Sequence, residues 1–170
     1  MEIRDMAHIQ NLTLMPQRFH AAPFVELRQS FSSQITAISP FVEQLMAFIG
    51  DFRKADGSEL EIETAVREAM ANAVIHGNHE DPYKRVRVMC RCNSDGEVRI
   101  TVLDEGPGFR SDAVPDPTSP ENRLFTHGRG IYLMKMLMDE VSFVKSGSVV
   151  RMRKKSNAGT AAPRRERNDA

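Results

Sequence analysis

The sequence has no tryptophan, only two cysteines and two tyrosines, and no net charge, since 23 Lys+Arg stand against 23 Asp+Glu. That balance leaves no global positive field and argues against non-specific binding to nucleic acid or to acidic membranes. Cys90 and Cys92 are one residue apart, too close for an ordinary structural disulfide and too close for a CxxC zinc half-site. A reduced, cytoplasmic setting is therefore expected. No apolar run approaches the roughly 18 residues of a membrane span, and Met1-Glu2-Ile3-Arg4-Asp5 carries charge where a signal peptide would be apolar. Also missing are the phosphate loop G-x-x-x-x-G-K-[ST] and the H-R-D and D-F-G triplets, which excludes P-loop enzymes and the eukaryotic kinase apparatus.

What is present suits one compact domain: 170 residues, 41% hydrophobic and 27% charged. Residues 1–23 show no sustained period and read as an arm of unknown role. A short strand is expected over Phe24-Val25-Glu26-Leu27, then a helix from Ile35 to Phe52 with Pro40 in its first turn. The clearest periodicity follows, because Ile62, Ala65, Val66, Ala69, Met70 and Ala73 recur at helical spacing toward Gly77. The period then changes to two: Val86, Val88, Cys90 and Cys92, then Val98, Ile100 and Val102, predict an antiparallel hairpin around Asn93-Ser94-Asp95-Gly96. Residues 105–127 are Pro-rich and poor in apolar residues, as a functional loop would be. A short helix over Ile131 to Met138 and a second hairpin around Ser146-Gly147 complete the domain. From 151 onward seven basic residues face two acidic ones, which reads as a basic, disordered tail over 156–170 rather than a nucleic-acid contact, since no aromatic is interleaved.

Four groups could carry chemistry. Glu68 and Asn72 are four residues apart on the strong helix, so they share one flank about 6 Å apart along the axis. An Asn oxygen suits Mg²⁺ and a carboxylate one turn away suits a hydroxyl proton, although an isolated pair of this kind also reads as a solvated flank. His76 and His79 close the helix around Gly77, an expected left-handed cap, and lack a third ligand for zinc. Asp104-Glu105-Gly106-Pro107-Gly108 sets a carboxylate at a strand end beside two side-chain-free positions, as a purine pocket would, or as an ordinary acidic turn would. Gly128-Arg129-Gly130 opens a helix whose free N–H groups suit phosphate, though Gly-x-Gly is also common punctuation and lacks the third Rossmann glycine.

In that order these groups resemble the anti-sigma-factor serine kinases, within the superfamily of gyrase, heat-shock chaperone, histidine-kinase and mismatch-repair ATPases. Glu68 to Asn78 looks like the N box, Asp104 to Gly108 like the first glycine box, and Gly128 to Met134 like the second. The resemblance spans about residues 24–155 and implies an α+β two-layer sandwich of the Bergerat type, a mixed, mostly antiparallel sheet backed by helices. It implies ATP and Mg²⁺, with Asn72 on the metal, Asp104 on adenine and residues 109–127 as lid. His76, Gly106, Gly108, Gly128, Arg129, Gly130, Ile131 and Ser148 would complete the nucleotide site, Ser148 standing where a Thr is usual. Glu68 would be the base that activates a serine on a small antagonist protein, while another surface captures a sigma factor. A nucleotide-dependent binding module without phosphotransfer is the alternative. A homodimer is expected as well, with Phe24, Val25, Phe41 and Leu45 read either as its contact or as core.

Overall fold

The computed structural model describes residues 23–108 and 129–157. The N-terminal arm up to residue 22, the lid segment, Gly128 and the tail beyond Asn157 lie outside the described residues. Five strands, β1 (Phe24–Ser32), β2 (Arg85–Asn93), β3 (Val98–Leu103), β4 (Glu140–Val144) and β5 (Val149–Lys154), form one sheet in the order β1-β2-β3-β5-β4. All four ladders are antiparallel, so the parallel pair that a mixed sheet would contain does not occur among the described strands. Helices α1 (Ile38–Phe52), α2 (Glu59–Ala71) and α3 (Arg129–Leu137) make the second layer. This is the α+β two-layer class that the family resemblance implies.

Alternation decides which sheet face meets the helices. Val86, Val88, Cys90 and Cys92 point inward with Val98, Ile100 and Val102, against Ile62, Val66 and Met70 of α2. Burying a side chain of this size contributes roughly 1.5–3 kcal/mol, so this seam dominates the stability of the domain. Both thiols are free and buried in it. Phe41 and Leu45 belong to the same core, whereas Phe24 and Val25 are half-buried.

Two elements depart from expectation. Strand β1 runs to Ser32 rather than stopping at Leu27, because Arg28 and Ser30 face away from the helices while Phe31 returns to the core against Phe41, ring centroids 4.8 Å apart. A polar outward position on an edge strand looks like a loop in the sequence. The second departure is the end of the N box: α2 stops at Ala71 and Asn72–Gly77 form a single π-helical stretch, closed by Asn78 N–H donating to the Ala73 carbonyl at 2.8 Å. Such wider turns concentrate at functional sites.

Ser156 and Asn157, expected in the tail, are held by the fold. Asp56 accepts from Ser156 Oγ at 3.2 Å and from the Asn157 N–H at 2.7 Å, while Arg53 donates to the Lys155 carbonyl at 2.9 Å.

Candidate functional site

The site forms where the end of α2 meets the start of α3. The two helices run antiparallel. Glu68 and Asn72 lie against Gly130 in the first turn of α3, and at the opposite end Lys154 Nζ lies 2.8 Å from the Leu137 carbonyl and 2.5 Å from Glu61 Oε2. A methyl group at Gly130 would stand 2.5 Å from Glu68 Oε2 and 3.5 Å from Asn72 Nδ2. The glycine is therefore what lets carboxylate and amide reach the helix terminus. The flank predicted from the four-residue spacing is real, and it faces the N-terminal turn of α3, where unpaired N–H groups and the positive end of the helix dipole favour an anion. Arg129 is exposed at this terminus, whereas Ile131 is half-buried and packs against the core.

Asp104 follows β3 and packs against Gly77, the last residue of the π-helical stretch. Its N–H donates to the Ser148 carbonyl at 3.1 Å, and its Oδ1 accepts from the Gly106 N–H at 2.8 Å. Burial pushes its carboxyl above the usual range, against the hydrogen bond from Gly106 that favours the charged form. The carboxylate lies directly on Gly77: a methyl there would be 2.7 Å from each Asp104 oxygen. Gly77 is thus a glycine for close approach and not the left-handed cap predicted; positive φ falls on His79 and Glu80, both at 57°. His76 is exposed at the end of the same stretch.

The glycines of the first box also have a structural use. A methyl at Gly106 would sit 2.5 Å from the Gly77 carbonyl carbon, and one at Gly108, where φ is +81°, 2.8 Å from the Ser146 carbonyl carbon. Both side chains are missing so that backbone can meet backbone, which locks the box between the N box and the β4–β5 turn. Ser148, in that turn, donates its hydroxyl to the Lys145 carbonyl at 3.0 Å.

Asn78 is the residue that sequence reading passed over. It is fully buried, its Oδ1 accepts from the Glu105 N–H at 2.7 Å and its Nδ2 donates to the Arg85 carbonyl at 3.1 Å. It ties the N box to the residue after Asp104. The signal was available as an amide, donor and acceptor at once, directly after the glycine that ends a helix.

Asn72 offers an amide oxygen and Asp104 a carboxylate with acceptor capacity beyond Gly106, so the donor set fits a metal-bound adenine nucleotide. Among the described residues no group of three acidic, His or Cys side chains could cage a metal alone. A cation here would draw its remaining oxygens from phosphate and water, the habit of Mg²⁺.

A Histidine kinase-like ATPase domain description matches residues 31–154. An Anti-sigma F factor from Geobacillus stearothermophilus is 33% identical over 139 residues, covering 76% of this chain and 91% of its own. One from Clostridium botulinum (strain Eklund 17B / Type B) is 32% identical over 144 residues, covering 79% and 92%. The crystal structure of the RsbU and RsbW domains of a Mycobacterium tuberculosis protein superposes with TM-score 0.54 at 19% identity, over 79% of this chain and 32% of that longer one, a likeness of fold. The boxes, the fold and these relatives agree, and the chain belongs to the histidine kinase-like ATPase domain family, with the anti-sigma F factors.

Proposed function

We propose that this chain is a cytoplasmic, ATP- and Mg²⁺-dependent protein-serine kinase of the anti-sigma-factor type, which phosphorylates a serine on a small single-domain antagonist and captures a sigma factor. The observation that carries the reading is the meeting of Glu68 and Asn72 with Gly130 at the N-terminus of α3, with Asp104 held at the far side of the same helix end. Bound ATP with Mg²⁺ would supply the transferable phosphoryl group. Asn72 would hold the metal, and Asp104 would accept from the adenine amine beside Gly106, Gly108 and Ser148. Gly128, Gly130 and Ile131, with Arg129 and His76, would bind the phosphates. Glu68, one turn from Asn72, would orient a serine hydroxyl and take its proton.

Homodimerisation belongs to the same proposal, supported by the family and by half-buried Phe24 and Val25 alone. The described residues contain no helix long and apolar enough to cross a membrane.

Incubation of the full chain with labelled ATP and candidate antagonists tests the reading. Label on serine is the expected result. ATP-dependent capture of the partner with no label would leave a nucleotide-dependent binding module instead.

A further inference from the structure

The sheet face turned away from the helices is built in cross-strand rows, and the rows differ in charge balance. One row reads Glu26, Arg91, Arg99, Arg153, Glu140 across all five strands. It is neutralised: Glu26 pairs with Arg91, Glu97 with Arg99, and Glu140 with Arg153. The next row is Arg28, Met89, Thr101, Arg151, Ser142, and the one beyond it is Ser30, Arg87, Leu103, Val149, Val144. Here Met89, Leu103, Val149 and Val144 alternate with Arg28, Arg87 and Arg151, so apolar and cationic side chains are interleaved. Arg87 is paired with Glu105 at 2.8 Å, and Arg28 shares Glu26. The Arg85 guanidinium is bonded to Ser30 while its backbone N–H donates to the Glu105 carboxylate at 3.1 Å, and among the described residues no acidic group pairs with the side chains of Arg85, Arg151 or Lys145. The result is a groove of about 990 Å³ lined by Met89, Leu103 and Val149 on the sheet and by Phe31, Pro40 and Phe41 beside α1, with the unpaired cations Arg85, Lys145 and Arg151 around it.

We propose that this groove is a docking surface for an acidic, partly apolar protein segment lying across the open sheet. The argument is complementarity of charge and pattern. A volume of this size is at the upper end of roughly 300–1,000 Å³ pockets and exceeds what a lone anion needs. An extended segment with alternating acidic and apolar side chains would set the apolar ones on Met89, Leu103 and Val149 and the acidic ones toward Arg85, Arg151 and Lys145. A second copy of the same face would bring like charge against like charge. Nucleic acid fits less well, because its backbone needs a continuous cationic track, whereas the neighbouring row is neutralised. The groove opens on the sheet face and adjoins the boxes through Glu105, which bonds Arg85 and Arg87, and through Asn78, which bonds the Arg85 carbonyl; the proposal does not depend on the kinase reading.

The test uses the full chain with a fluorescein-labelled Glu- and Leu-rich peptide of about ten residues, ~33 Å when extended. A Lys- and Leu-rich peptide of equal length and a short duplex DNA serve as competing probes. The acidic peptide is expected to bind, to weaken as salt is raised, and to lose at least about tenfold in affinity in Arg85→Glu/Arg151→Glu. Lys145→Glu alone should weaken it less, and Arg99→Ala, in the neutralised row, should leave it unchanged. Circular dichroism establishes that each variant is folded. No binding of the acidic peptide, equal binding of the basic one, binding insensitive to the double reversal, or duplex DNA bound as tightly and lost in the same variant would each overturn the proposal.

Discussion

The Asp104 carboxylate rests on the α-carbon of Gly77, so close that a methyl group there would stand 2.7 Å from both carboxylate oxygens. Strand end and helix end are thereby interlocked without any direct bond between them, and Asn78 adds the hydrogen bonds that hold the distance. A charged group is kept in a place that costs stability.

That cost has a sign. Burial raises the Asp104 carboxyl in the folded chain, so the folded state holds the proton more tightly than the unfolded one. Its contribution to stability is therefore most favourable below the ordinary carboxylate range and declines as pH rises through the raised value. Asp104→Asn keeps the shape and the acceptor for Gly106 but removes the charge. It is expected to raise stability at neutral pH by about 0.5–2 kcal/mol while weakening ATP binding tenfold or more, a trade typical of functional carboxylates. Chemical denaturation and calorimetric titration of the same two proteins read both effects; lower stability together with unchanged affinity would refute the assignment.

Gly106→Ala should be costly for a different reason. The added methyl meets the Gly77 backbone 2.5 Å from its carbonyl carbon, and backbone cannot rotate away as a side chain would. Destabilisation of about 1–3 kcal/mol or more is expected, visible as a lower denaturation midpoint in the absence of any nucleotide. A midpoint equal to that of the wild type would mean the glycine serves only the ligand.

Asp56 gives the opposite pH dependence. Its side chain and that of Arg53 are 3% and 2% exposed, and their pair is 2.6 Å long. Burial opposes the charge, yet bonds from Ser58, Arg53 and the N–H groups of Asn157 and Ser58 together hold the carboxyl well below its usual range. The stabilisation is thus present above the ordinary carboxylate pKa and is lost as pH falls through the lowered one. Asp56→Ala leaves Arg53 buried without its counter-charge, which costs about 3–5 kcal/mol at neutral pH. Urea melts at pH 7 and pH 3 should show the gap between the two proteins narrowing in acid.

Periodicity revealed the helices and hairpins, and the family resemblance their two-layer arrangement, because nearly every inward position of α2, β2, β3 and β5 is apolar and nearly every outward one is not. The outward half of β1 escaped for that reason, its identity being fixed by pairing with β2. Spacing also placed Glu68 with Asn72, a local relation. What it could not reveal was contact between segments distant in the chain. Gly77 against Asp104, Gly108 against Ser146 and Asp56 against Asn157 each join parts of the sequence that carry no local mark of one another. Glycine in particular reads as a turn unless the neighbouring backbone is known.

On the proposed function, loss of Glu68 should separate phosphotransfer from nucleotide capture, with Gly130 as the control. Glu68 lies at the α3 terminus only because Gly130 has no side chain, while Asn72 is a turn away and Asp104 lies across the helix end. Glu68→Gln preserves size and hydrogen bonding but cannot accept a proton in the same way. A positioned base contributes roughly 10²–10⁴-fold, so the variant should bind ATP as the wild type does yet phosphorylate serine at about a hundredth of the rate or less. Gly130→Ala places a methyl 2.5 Å from Glu68 Oε2, which must swing aside, and 3.5 Å from Asn72 Nδ2, an ordinary contact. It should therefore reproduce the loss of transfer with the carboxylate still present. Single-turnover label transfer alongside calorimetric ATP binding checks both variants. A Gly130→Ala protein that transfers phosphate at the wild-type rate would show that the position of Glu68 at the helix terminus has no part in the chemical step.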